Sequence, residues 1–134
     1  MDIAITEWAL QSYLDLKHKR VFTDQEYRTC IRPDVQLLRD GFPSPHAVFA
    51  QQNFWGPAKD KGGNTVAHGF KMKWHNLGPG QVQLRLGVAT INDTAYLCRA
   101  YVKDSVATDY RQIANLKVHI SSILNGKVIV RGYL

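Results

Sequence analysis

The chain has 134 residues, of which 45% are hydrophobic, and it carries a formal net charge of +6 at pH 7. This composition excludes a disordered chain, and no apolar run approaches the roughly 20 residues that span a bilayer. The first residues lack the pattern of a signal peptide, and Cys30 and Cys98 have no CxxC spacing. We therefore expect one domain, residues 1–134, in the cytoplasm, with both cysteines as reduced core thiols.

The first half predicts a short strand and two helices. A strand at 3–5 precedes a helix that begins after Thr6 and carries an apolar stripe. A second helix begins at Thr23, because Thr23 and Glu26 have the spacing of a capping box. Pro33 predicts a kink or break in this helix, since an interior proline costs about 3 kcal/mol. Residues 46–69 give no clear pattern.

The second half predicts three strands, at about 70–75, 81–90 and 95–103. A last helix follows from about 108 to 124, and a short strand is expected at 128–130. The predicted fold class is α+β, with N-terminal helices packed on a small antiparallel sheet and a C-terminal helix.

The turn between the second and third of these strands fixes which residues share a face. A three-residue loop, 92–94, pairs Leu86 with Ala100 and Val88 with Cys98. A loop that is one residue shorter would bring charged side chains onto the apolar face. The apolar pattern therefore favours the three-residue loop.

A loop of residues 76–80 sets Lys73 opposite Gln83 and Lys71 opposite Arg85 in the other hairpin. One face of the sheet is then apolar and suited to pack under the helices. The other face gathers polar side chains and no carboxylate: Lys71, Lys73, His75, Gln83, Arg85, Arg99, Tyr101 and Lys103.

The distribution of charge along the chain supports an anionic partner. Residues 1–67 hold 8 basic and 8 acidic side chains, whereas residues 68–134 hold 9 basic and 3 acidic ones. Five cations on one sheet face repel one another unless an anion is bound or water screens them. This face predicts a phosphate site, and a solvated face that discourages edge pairing is the alternative.

Gly69 to about Leu124 resembles the RelE/ParE superfamily of bacterial toxins, within it the HigB-like branch. Phe70-Lys71-Met72-Lys73 is similar to the basic strand of the family, and Val82-Gln83-Leu84-Arg85-Leu86 to its strand with a central arginine. Leu97-Cys98-Arg99-Ala100-Tyr101-Val102-Lys103 is similar to the strand that ends in a basic residue. Tyr110 stands near the start of the last helix, where many members keep a tyrosine.

The resemblance implies a metal-independent endoribonuclease without a cofactor, which cuts messenger RNA, usually on the ribosome, and is held inactive by a cognate antitoxin. Cleavage in the family proceeds by attack of a ribose 2′-OH on the adjacent phosphate. The resemblance assigns four residues to binding or stabilising the phosphate: Lys71, Lys73, Arg85 and Lys103. Tyr110 would help to orient or deprotonate the attacking 2′-OH. Lys103 replaces an arginine of some members, and His75 is the nearby histidine that could act as general acid or base.

The remaining polar residues of the basic face are expected to contact RNA: Gln83, Arg99 and Tyr101. Tyr101 could stack on a base, or it could pack across the strands. Two other functions stay open. One is a ParE-like protein that poisons a DNA topoisomerase, and the other is a non-catalytic module that binds nucleic acid or a protein partner. The five histidines and two cysteines show no metal-ligand spacing.

Overall fold

The structure is a computed structural model that describes all 134 residues and mixes α and β elements, as the sequence predicts. The helices are α1 (Glu7–His18), α2 (Asp24–Glu26), α3 (Arg32–Gln36) and α4 (Val106–Leu124). The strands are β1 (Asp2–Thr6), β2 (Trp55–Lys59), β3 (Thr65–Leu77), β4 (Val82–Ile91), β5 (Thr94–Val102) and β6 (Val130–Tyr133). None of the helices combines the length and hydropathy that a bilayer crossing requires.

All six strands form one sheet in the order β2-β3-β4-β5-β1-β6. β1 runs parallel to β5, and the other neighbouring strands are antiparallel. The expectation of a purely antiparallel sheet is therefore wrong at one pair. β1 and β5 lie far apart in the chain, so no hairpin fixes their relative direction.

Two threonine caps fix where the N-terminal helices begin. The hydroxyl of Thr6 accepts a hydrogen bond from the backbone N–H of Ala9 at 3.2 Å and donates to the carbonyl of Leu97 at 2.6 Å. It therefore ties the start of α1 to β5. The predicted capping box is confirmed, since Thr23 and Glu26 each accept from the other's backbone N–H.

The second helical region accommodates Pro33 by widening. A π-helical turn, Tyr27–Ile31, joins α2 to α3, and the N–H of Arg32 donates to the carbonyl of Tyr27. Pro33 has no N–H to donate to the preceding turn, so a wider turn avoids part of the cost of an interior proline. The predicted kink thus takes the form of a π turn.

The sheet is covered on both faces. The N-terminal helices pack on one face, over a core that includes Leu84, Leu86 and Val88. α4 packs on the other face through Ile113 and Leu116. The sequence pattern predicts helices on the apolar face alone, and this prediction is wrong for α4. The apolar stripe of α4 must itself be buried, and the apolar positions near the β4–β5 turn offer a surface for it.

The β4–β5 hairpin reaches the predicted register by a different route. The loop has two residues, Asn92 and Asp93, both with positive φ (51° and 59°), as a type I′ turn requires. Leu86 pairs with Ala100 as predicted, but Val88 pairs with Leu97 and not with Cys98. Cys98 is the extra residue of a β-bulge, which restores the face of the following residues.

The β3–β4 hairpin keeps the predicted faces but shifts the partners. Lys73 pairs with Arg85 and Lys71 with Gly87, so both predicted partners are wrong by two residues. A shift of two keeps every side chain on its face because the strand period is two. An irregularity between Trp74 and Leu77 in the register produces this difference.

The two cysteines lie in different surroundings. Cys98 is buried under α4, and burial raises its thiol pKa to about 12. Cys30 is exposed, so the expectation of a core position is wrong for it. The π turn explains this, because it contributes Ile31 to the core in its place.

Candidate functional site

A cluster of cations lies on the sheet face that α4 covers in part. β3 contributes Lys71 and Lys73, β4 contributes Arg85, and Lys103 follows the end of β5. We call these four residues the cationic cluster. Strand alternation places them on one face, as the sequence predicts.

Asp109 of α4 enters the cationic cluster from above. Its carboxylate accepts from the Lys71 ammonium at 2.9 Å and from the Tyr101 hydroxyl at 2.6 Å. The side chains of Lys71 and Asp109 are only 14% and 10% exposed, so water screens this pair weakly. The expectation of a face without a carboxylate is therefore wrong.

The start of α4 fixes the position of Asp109. Ser105 caps the helix by accepting from the N–H of Thr108, and Asp109 stands in the first turn. A carboxylate at this end of a helix is favoured by the helix dipole. Asp109, Ile113, Leu116 and Ile120 follow helical spacing and are all buried. This stripe was the signal in the sequence that could have placed Asp109 against the sheet.

The Asp109 carboxylate is held in its ionised form. Burial alone would raise its pKa, but the hydrogen bonds from Tyr101 and Lys71 and the charges of Lys71 and Lys103 lower it below the usual value. Burial and the hydrogen bond to Asp109 raise the pKa of the Tyr101 phenol. Tyr101 therefore keeps its proton and acts as a hydrogen-bond donor.

Arg85 is the most buried cation of the cluster, at 5% exposure. Its guanidinium donates to Gln83 Oε1 at 2.8 Å and to the Leu84 carbonyl at 3.3 Å, but its buried Nε has no hydrogen-bond partner. No carboxylate forms an ion pair with it. Burial lowers its pKa. A buried guanidinium without a counter-ion and with one unbonded N–H is an incomplete site for an anion.

Lys73 and His75 are tied to the segment that precedes β2. The Lys73 ammonium donates to the Gln52 carbonyl at 2.8 Å, and His75 Nε2 lies 2.7 Å from the Asn53 carbonyl. Because a carbonyl only accepts, Nε2 of His75 carries a proton, and in the neutral ring Nδ1 is then the acceptor. Burial, followed by the charges of Lys71 and Arg85, lowers the pKa of Lys73.

The predicted RNA-contacting residues all lie beside the cationic cluster. Tyr101 and Gln83 join the cationic cluster through their bonds to Asp109 and Arg85. Arg99 is exposed and lines a small pocket together with Lys71 and Tyr101, and it also lines a groove of about 400 Å³ between α1 and α4, beside Trp8. Lys103 is half-buried, and its charge acts on the ionisation of Lys73 and Asp109.

Tyr110 lies apart from the cationic cluster. It lines an open groove with Asp60, Arg111 and Lys117, and it packs partly against the core under α4. Asp109, the preceding residue, points to the sheet, so the helix turns Tyr110 away from it. Tyr101 donates a hydrogen bond to Asp109 in the cluster, whereas the Tyr110 hydroxyl makes no hydrogen bond to a residue of the cluster.

The sequence matches no known protein-family model, and comparisons with curated proteins and with solved structures give no significant match. No group of three or more His, Cys, Asp or Glu side chains is arranged to hold a metal ion. The function is therefore inferred from the geometry and charge of the cationic cluster.

Proposed function

We propose that this chain is an endoribonuclease of the RelE-like toxin kind, which cleaves messenger RNA without a metal ion. The observation that carries the proposal is the buried, incompletely bonded guanidinium of Arg85. Four cations surround a single carboxylate in the cluster, so it retains positive charge that a phosphate can neutralise. The arrangement suits a phosphodiester whose charge increases during the reaction.

The proposed reaction is attack of a ribose 2′-OH on the adjacent phosphate, which forms a 2′,3′-cyclic phosphate and breaks the P–O5′ bond. The 5′-oxygen leaves as a hydroxyl after it takes a proton from water. Arg85 and Lys73 stabilise the negative charge that develops on the phosphoryl oxygens. Asp109 is a positioning residue, because its carboxylate accepts the proton of Tyr101 and one N–H of Lys71, which leaves two N–H donors of the Lys71 ammonium for the phosphate. The hydrogen bonds that Lys71 donates to the phosphate replace those that water gives to the free substrate.

His75 is the proposed proton acceptor for the 2′-OH. It lies two residues from Lys73 on the same side of β3, at a separation of about 7 Å along the strand. Its Nε2 proton is held by the carbonyl of Asn53, which leaves Nδ1 free to accept. In the proposal a cognate antitoxin covers the cationic cluster, and the ribosome presents the messenger RNA.

The test is cleavage of messenger RNA by the purified chain in EDTA, with and without ribosomes. Arg85→Gln and Lys73→Met should each lower the cleavage rate by about 100-fold or more, because each removes a stabilising cation. Arg111→Gln and Lys117→Met are the matched controls, since both residues are exposed on α4. Circular dichroism establishes that each variant is folded.

Three results would contradict the proposal. If folded Arg85→Gln and Lys73→Met both cleave RNA at the wild-type rate, the cationic cluster is not the catalytic site. RNA binding with a steep salt dependence but no cleavage would favour the non-catalytic module. A DNA-damage response without RNA cleavage would favour the topoisomerase poison.

A further inference from the structure

An apolar cavity of about 180 Å³ lies on the sheet face opposite the cationic cluster. It is bounded by α1, by the π turn with α3, and by the sheet beneath them. Its lining includes Ala9 and Leu10 of α1, Ile31 and Val35 of the second helical region, and Leu86 and Leu97 of the sheet. Ten of its 11 lining residues are hydrophobic.

The local sequence explains why this space is not filled. Ala9 is the small residue on the buried face of α1, and the π turn that accommodates Pro33 widens the opposite wall. Protein interiors normally contain few voids larger than a water molecule. An apolar void does not hold water well, so an apolar occupant would gain contacts that the lining side chains lack.

The polar features of the cavity lie at its rim. Arg32 is exposed there and belongs to none of the ion pairs in the structure. The rings of Tyr13 and Tyr27 meet beside it with centroids 4.9 Å apart. The cavity is thus a partly open apolar pocket, lined also by one cation without an ion pair and by two tyrosines.

We propose that this cavity binds a small carboxylic acid with an apolar ring or short chain. The apolar body would fill the space between the helices, and the carboxylate would bind Arg32. A cavity of about 150 Å³ holds one benzene ring, so the volume here suits one ring with a short side arm.

Calorimetric titration with 3-phenylpropanoate tests the proposal, and 3-phenylpropanol serves as the uncharged probe. The acid should bind saturably, and Ala9→Leu, which fills the cavity, should abolish binding. Arg32→Gln should lower the affinity for the acid by about tenfold and leave the affinity for the alcohol unchanged, because only the acid pairs with the guanidinium. Ala114→Leu and Arg28→Gln are the controls, since both residues are exposed on helices.

Three results would overturn the proposal. The first is no saturable binding of either probe to the wild-type chain. The second is that the acid binds wild type and Arg32→Gln with equal affinity. Arg32→Gln should fold normally because Arg32 is exposed. The third is a change in the NMR signals of Leu86 and Leu97 with protein concentration alone, which would show that a second copy covers the cavity. The cavity and the cationic cluster lie on opposite faces, so failure here leaves the proposed ribonuclease intact.

Discussion

Asp109 determines the electrostatic character of the cationic cluster. It offsets one of four positive charges and aligns two donors, Lys71 and Tyr101, toward the same side of the sheet. Without it, Lys71 would keep a buried charge with no partner, which costs more than the pair itself contributes. The carboxylate therefore allows several cations to remain close together in the folded state.

Asp109→Asn should lower the free energy of unfolding at pH 7 by about 3 kcal/mol, because it leaves the half-buried Lys71 charge unpaired. The folded-state pKa of Asp109 lies below its unfolded value. Its stabilisation is therefore complete above the unfolded pKa and is lost as pH falls through the folded pKa. Urea unfolding at pH 7 and pH 3 should show a smaller difference between variant and wild type at pH 3.

The controls for this prediction use one exposed and one paired position. Asp93→Asn, in the exposed β4–β5 turn, should change the unfolding free energy by less than about 0.5 kcal/mol. Adding Lys71→Met to Asp109→Asn should recover part of the loss, since neither charge then remains buried alone. A loss at pH 7 no larger than that of Asp93→Asn would show that the ion pair does not stabilise the fold.

Much of the cationic cluster could be predicted at the scale of residues. Strand alternation alone places Lys71, Lys73 and Arg85 on one face, and the structure agrees. The position of Asp109 in the cluster depends on how α4 packs on the sheet, and strand periodicity does not predict this packing. Tyr101 and Tyr110 illustrate the same limit, since only the docked helix shows which phenol meets the cations.

At the scale of elements, the β4–β5 hairpin shows how a correct register can come from an incorrect turn. The apolar pattern requires Leu86 opposite Ala100, and a three-residue loop satisfies it. A two-residue turn with a bulge at Cys98 satisfies it equally. Asn92 and Asp93 both tolerate positive φ, so the choice depends on tertiary packing of Cys98 under α4.

The β3–β4 turn is joined to the start of α2 through Gly78. Gly78 has a φ of +67°, and its N–H donates to the Glu26 carboxylate at 3.0 Å. A Cβ at this position would lie 2.0 Å from the carbonyl oxygen of Val21, which belongs to the backbone and cannot rotate away. The turn therefore requires glycine for both its conformation and its close contact.

Gly78→Ala should lower the free energy of unfolding by at least about 3 kcal/mol, because strain and a backbone clash act together. Gly126→Ala is the matched control, since Gly126 has a φ of +71° but a Cβ added there would meet no atom within 4 Å. It should cost about 1 kcal/mol from backbone strain alone. Equal losses in denaturant titrations of the two variants would show that the contact with Val21 does not constrain the turn.

At the scale of the whole molecule, the sheet separates two kinds of surface. The N-terminal helices cover the apolar face, and α4 covers only part of the basic one. The sequence predicts the mixed α and β content and the basic excess of the second half. It does not predict that α4 crosses the basic face, because strand alternation places Ala89 and Ile91 on the face of Arg85 but does not show that the apolar stripe of α4 packs on them.

The cations of the cluster repel one another in the absence of a bound anion, so multivalent anions should stabilise the fold. Sulfate or inorganic phosphate at about ten times its dissociation constant should raise the melting temperature by about 5 °C over chloride at equal ionic strength. Part of any sulfate effect acts on the whole surface, so the comparison between variants is decisive. Lys73→Met should lose most of this increase in melting temperature, because it removes a half-buried cation of the cluster. Lys117→Met should keep the increase, because Lys117 is exposed on α4. Equal increments in the two variants, measured by thermal unfolding, would show that the cluster does not bind anions.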